Sequence, residues 1–127
     1  MPLALVAEDD ALVAITLVDM LADADFGSVL ALNAQEAITA LEEDGASFCA
    51  LITDIRMPGR GSGWDVARRA RELQPLLPVI YMTGDSAEQW RAHGVPGSVL
   101  LQKPFVGAQL IISLTNLLNE AGMAAVR

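Results

Sequence analysis

Five polar side chains stand where short apolar runs end. Leu3–Ala7 leads into Glu8-Asp9, Ala50–Thr53 into Asp54, Val79–Met82 into Thr83, and Val99–Gln102 into Lys103. If these runs are parallel strands, their carboxyl ends share one edge of a sheet, where open α/β folds place their ligands. Three carboxylates in one cleft repel and raise one another's pKa unless a cation joins them. Magnesium fits, because it takes oxygen ligands and is commonly held by one or two carboxylates together with a phosphate. Asp9 and Asp54 suit those carboxylate positions, with Glu8 acting through water. Asp54 also suits a nucleophile, since a carboxylate attacking phosphorus gives an aspartyl phosphate. The metal and the Lys103 ammonium would stabilise the equatorial oxygens of the transferring group, with the Thr83 hydroxyl donating to one of them.

Taken singly, these residues have plainer readings. Glu8-Asp9-Asp10 at a strand-to-helix junction is a helix cap, and Asp54 before a glycine-rich stretch is a turn residue. Their order at four successive strand ends is what points to phosphoryl chemistry.

The elements that must position them alternate five times between strand and helix, which predicts an α/β fold with a parallel sheet. The expected strands are Leu3–Ala7, Ser28–Leu32, Phe48–Thr53, Val79–Met82 and Ser98–Gln102. The first helix is expected from Ala11 to Ala24, broken by Asp25-Phe26-Gly27. The second follows an Asn33 cap, passes Glu42 and ends near Gly45. Met57-Pro58-Gly59-Arg60-Gly61-Ser62-Gly63 cannot be regular structure and reads as a loop at the active edge. A helix from Trp64 to Leu73 closes at Gln74-Pro75. Asp85 is expected to cap a short helix through Ala92, ended by Gly94, and the last helix runs from Val106 to Ala121.

With 127 residues, 53% of them apolar and 19% charged, the chain predicts a single domain, residues 1–127, that folds without staples. No apolar run approaches the ~20 residues of a membrane span, and Met1-Pro2-Leu3 lacks the basic region of a secretory signal. The lone Cys49 reads as a small packed hydrophobe in a reducing compartment, so a cytoplasmic location is expected. A net charge of −8 disfavours direct nucleic-acid binding. Arg68, Arg69 and Arg71 read as a solvated helix face.

The chain resembles the receiver domains of two-component response regulators. The matching stretches are Leu5-Val6-Ala7-Glu8-Asp9-Asp10, Thr53-Asp54-Ile55-Arg56-Met57-Pro58-Gly59, Tyr81-Met82-Thr83-Gly84 and Gln102-Lys103-Pro104-Phe105, and they span nearly the whole chain. The resemblance implies a flavodoxin-like (βα)5 fold, three layers deep, with strand order 2-1-3-4-5. It implies that Asp54 accepts a phosphoryl group from a histidine kinase or histidine phosphotransfer protein. Glu8, Asp9, Asp54 and the Arg56 backbone carbonyl would hold magnesium, and Thr83 and Lys103 would read the phosphoryl group. A cis Lys103-Pro104 peptide would aim the lysine.

Two features depart from the family pattern. Leu100 stands where an aromatic often accompanies the threonine in switching, and the Gly59–Gly63 loop is about one residue longer than usual. Activation is then expected to act through that loop and the Asp85–His93 helix. Arg56 and Asp85 should flank the cleft mouth and pair over it. His93, at a helix end beside Gly94, reads as serving terminal carbonyls rather than as a phosphohistidine. Trp64 and Trp90 read as packing residues.

The leading reading is a stand-alone signalling module, not an enzyme beyond self-phosphorylation from small donors and self-dephosphorylation, which passes its state to an unknown downstream protein by contact. One alternative is a receiver excised from a hybrid histidine kinase. Another is a phosphatase of the haloacid dehalogenase type, which needs an acid two residues after the nucleophile, where this chain has Arg56. The first helix, with Leu12, Val13, Ile15, Leu17, Val18, Met20 and Leu21, has more apolar positions than one buried stripe requires, and so has the last. That excess marks a partner face, for a phosphohistidine donor or for a homodimer.

Overall fold

A computed structural model describes residues 2–85 and 87–126. The strands are β1 (Leu3–Ala7), β2 (Gly27–Ala31), β3 (Phe48–Asp54), β4 (Val79–Thr83) and β5 (Val99–Gln102). The helices are α1 (Ala11–Asp23), α2 (Ala34–Asp44), α3 (Gly63–Leu73), α4 (Trp90–His93) and α5 (Gly107–Val126). The five strands form one parallel sheet in the order β2-β1-β3-β4-β5.

Alternation along each strand divides the apolar residues between two cores. Leu5, Leu51, Val79 and Tyr81 pack toward Ala37 and Leu41 of α2 and Val66, Ala67 and Ala70 of α3. Val6, Ile52, Ile80 and Met82 pack toward Leu17 and Leu21 of α1 and Leu110 and Leu114 of α5. Both sheet faces are thus covered, as the nearly unbroken apolar sequences of β3 and β4 require. Burying one such leucine contributes on the order of 1.5–3 kcal/mol.

Local chemistry sets the helix ends. Asp10 caps α1 by accepting from the Leu12 and Val13 amides, and Asn33 caps α2 by accepting from Glu36. At the end of α1, Asp25 takes the left-handed conformation (φ 66°), with Phe26 N–H donating to the Leu21 carbonyl and Asp25 N–H to that of Ala22. This paired closure usually falls to glycine.

Several boundaries differ from the sequence expectation. α2 itself ends at Asp44, beside Gly45 as expected, although Gly45 takes no left-handed turn. It is right-handed and opens a 3-10 turn, Gly45–Ser47, whose first carbonyl accepts from the Gln74 side chain. The helix expected from Asp85 is a 3-10 turn, Ala87–Gln89, followed by the single α-turn of α4. Ser86, which falls within that expected helix, lies outside the described residues. β2 lies one residue earlier than expected, so that Leu3–Ala7 pairs with Gly27–Ala31, and leaves Leu32 exposed. Among the described residues no helix is long and apolar enough to cross a membrane.

Candidate functional site

The strand ends are fixed by the ladder itself. Ala7 lies opposite Thr53, Asp54 opposite Met82, and Thr83 opposite Gln102. One further backbone bond continues the pairing past each end: Glu8 N–H donates to the Ala31 carbonyl (3.0 Å), Ile55 N–H to Met82 (3.2 Å), and Lys103 N–H to Thr83 (2.7 Å). Asp54 and Thr83 are therefore the last residues of their strands, while Glu8 and Lys103 follow theirs directly. Rigid backbone holds all four at one edge.

The acidic trio divides its labour. Asp10 turns to the α1 cap and gives its own amide to Glu8 Oε2 (3.1 Å). Glu8 is buried and Asp9 exposed, and carboxylate oxygens of Glu8, Asp9 and Asp54 lie within 4.8 Å of one another. The Lys103 ammonium donates to Glu8 Oε1 at 2.8 Å and to Asp54 Oδ2 at 3.3 Å. The other oxygen of Asp54 accepts from the Ile55 amide at 2.8 Å. Lys103 precedes a cis peptide to Pro104.

Electrostatics follow from burial. Desolvation pushes the Glu8 carboxyl above its ordinary value, and the hydrogen bond from Lys103 only partly offsets this. Burial pulls the Lys103 ammonium down, yet Glu8 and Asp54 outweigh it and leave its pKa raised. Three carboxylates against one ammonium leave a negative excess. A hard divalent cation suits that donor set.

Thr83 is buried at the end of β4, and its hydroxyl accepts from the Asp85 amide (3.2 Å). Arg56 and Asp85 meet at 3.3 Å with both side chains exposed. Leu100 is half-buried and packs with the core on the α2–α3 face. His93 stands apart from the cleft, its ring 5.7 Å from that of Trp64. Trp64 is buried against Tyr81, and the Trp90 indole N–H donates to Ser98 Oγ (3.0 Å).

The response regulator receiver domain family matches residues 4–115. The chain belongs to the response regulator receiver family. This receiver is 36% identical over 121 residues to a response regulator receiver protein of Anaeromyxobacter sp. (strain Fw109-5), a match covering 94% of this chain and 47% of that protein. It thus spans about half the length of that relative. It is 32% identical over 119 residues to the response regulator receiver protein CpdR of Brucella abortus, covering 92% of this chain and 97% of that one. The crystal structure of a response regulator receiver protein from Sinorhizobium medicae superposes with a TM-score of 0.91 at 38% identity, covering 94% of this chain and 96% of the other. Receivers act in two-component signalling: they accept phosphoryl groups from histidine kinases or phosphotransfer proteins and generally bind magnesium at an acidic pocket.

One residue of the site escapes sequence reasoning. Gly63 opens α3 directly against the end of β3, its amide donating to the Ile55 carbonyl (2.8 Å). A Cβ there would meet the Asp54 carbonyl carbon and the Ile55 Cα at 2.9 Å each. The only signal in the sequence is a glycine at the first helical position, which the loop glycines Gly59 and Gly61 just before it obscure.

Proposed function

We propose that Asp54 is the phosphoacceptor of this receiver. The supporting observation is its placement at the end of β3, with one oxygen facing Lys103 and carboxylates of Glu8 and Asp9 beside it. An Asp54 carboxylate oxygen attacks the phosphorus of a phosphohistidine. The phosphorus–nitrogen bond breaks, its electron pair leaves on the imidazole, and an acyl phosphate forms. Lys103 turns its ammonium to the incoming oxygens, and the Thr83 hydroxyl donates to one of them. Asp9, Asp54 and the Arg56 carbonyl would hold magnesium, with Glu8 acting through water. When bound, the ion neutralises charge on the phosphoryl oxygens.

The proposed receiver unit is residues 1–127, and its phosphorylation state is passed on by protein contact. The Arg56–Asp85 pair covers the cleft mouth and slows attack by water on the acyl phosphate. Leu100, an aliphatic in place of an aromatic, leaves switching to Thr83 and the segment after it. Acetyl phosphate with magnesium should add one phosphoryl group, and Asp54→Asn should accept none. Many turnovers of a chromogenic phosphomonoester would instead favour a phosphatase.

A further inference from the structure

β2 is an edge of the sheet, separated from β3 and Asp54 by β1. The ladder fixes which way its backbone points. Gly27 N–H donates to the Pro2 carbonyl (2.8 Å) and the Ala31 carbonyl accepts from Glu8 N–H (3.0 Å), with Leu3–Ala7 paired in register between them. In a parallel pair each residue turns its N–H and C=O to the same side, and the side alternates along the strand. Gly27, Val29 and Ala31 therefore face β1, while Ser28 and Leu30 face outward. Among the described residues nothing bonds to the outward N–H and C=O of Ser28 and Leu30. The open row stops at Leu32, whose amide donates to Glu36 Oε1 (3.2 Å).

Native edge strands are commonly blunted by lysine, proline or an inward-pointing charge. Gly27-Ser28-Val29-Leu30-Ala31-Leu32 contains none of these. Val29, opposite Leu5 on the α2 side of the sheet, is 38% exposed, and Leu30, opposite Val6 on the α1 side, is 40% exposed; Leu32 follows at 46%. An added strand would thus bury apolar groups on both faces at once. Charge narrows what that strand can be. Residues 1–55 contain eleven acidic side chains and no lysine or arginine. Asp23 and Asp25 stand exposed just before β2, and exposed Glu43 follows Glu36 along the same side of α2 at helical spacing. A second copy pairing edge to edge would set these acids against their own kind, and a nucleic acid would be repelled.

We propose that the β2 edge binds an extended segment of a partner protein as an added strand, the segment being apolar at its centre and flanked by lysine or arginine. Its backbone exchanges hydrogen bonds with Ser28 and Leu30, which gives affinity without regard to sequence. Its central side chains cover Val29 and Leu30, and its basic ends meet Asp23, Asp25 and Glu43. This contact goes beyond the phosphoacceptor reading and does not depend on it.

The test uses the full chain, isotope-labelled for NMR, and synthetic heptapeptides with three central valines or isoleucines and a pair of lysines at each end. On titration the amide signals of Ser28 and Leu30 should shift, and exchange of those two amides with solvent should slow. The same peptides with glutamate for lysine, or with all three central amides N-methylated, should bind about tenfold or more weakly. Leu30→Lys should weaken binding of the lysine peptides, whereas Glu72→Lys on α3 should not. Asp23→Lys with Glu43→Lys changes only exposed side chains, so the loss of binding expected there is not one of folding. No binding by any lysine peptide, equal binding of the glutamate or N-methylated peptides, or shifts that map away from β2 would each overturn the proposal. So would unaltered binding by Leu30→Lys or by the double charge reversal, or a dimer of the pure protein that shields Ser28 and Leu30.

Discussion

Gly63 lies so close to Asp54 that a Cβ on it would stand 2.1 Å from the Asp54 carbonyl oxygen. Helix α3 can start at the end of β3 only because this position carries no side chain. The contact is with backbone, so no rotamer change relieves it. Gly63→Ala must therefore displace Asp54 or the first turn of α3. We expect a loss of about 1–3 kcal/mol, the usual cost of overpacking, together with slower labelling by acetyl phosphate. Urea unfolding and a labelling time course check this, and wild-type values in both would contradict it.

Tyr81 is fully buried, and its hydroxyl accepts from the Val95 amide at 3.1 Å. Burial foremost raises its pKa, so the folded protein keeps the phenolic proton at pH values where the unfolded chain has lost it. Its contribution to stability is complete below pH ~10 and is lost as pH rises through the raised value. Lys103, also raised, adds to the same alkaline fall. Tyr81→Phe should flatten that limb in part. At neutral pH it should cost about 1–3 kcal/mol for the stranded Val95 amide. Unfolding free energies from pH 7 to 11 measure both effects.

Asp25 occupies the left-handed position that closes α1. A non-glycine residue there costs ~1–2 kcal/mol, partly offset because glycine gains freedom in the unfolded chain. Asp25→Gly should raise stability by roughly 0.5–1 kcal/mol without altering phosphorylation. Thermal unfolding is the measurement, and a destabilised variant would contradict this account of the helix end.

The Arg56–Asp85 pair is exposed on both sides. Its worth to folding is therefore small, about 0–1 kcal/mol. Arg56→Ala should change the decay rate of the acyl phosphate by more than this stability difference suggests. An unaltered decay rate would remove its role at the cleft mouth.

Much of this was legible in the sequence where the determinant is local. Apolar runs ending on Glu8, Asp54, Thr83 and Lys103 marked both the sheet and its functional edge, because parallel strands buried on both faces need unbroken apolar sequence. Asn33 announced α2 because its side chain accepts from an amide of the helix's first turn. The misread segments depend on distant partners. The helix end at Gly45 was legible, but not the right-handed turn there, whose carbonyl accepts from the distant Gln74 amide. The segment after Asp85 has a helical pattern but yields only short turns, and at Gly94 the Trp90 indole fills the space a Cβ would need. The need for glycine at position 63 arises only when α3 meets β3, and neither element reveals it alone.

The phosphoryl group is expected to reside on Asp54. Acetyl phosphate and magnesium should label the protein, and borohydride should then reduce the acyl phosphate, leaving homoserine at that position. Peptide mass mapping should find the conversion at residue 54 in the wild type and nowhere in Asp54→Asn. Homoserine at another acidic residue of the wild type, or undiminished labelling of Asp54→Asn, would contradict the assignment.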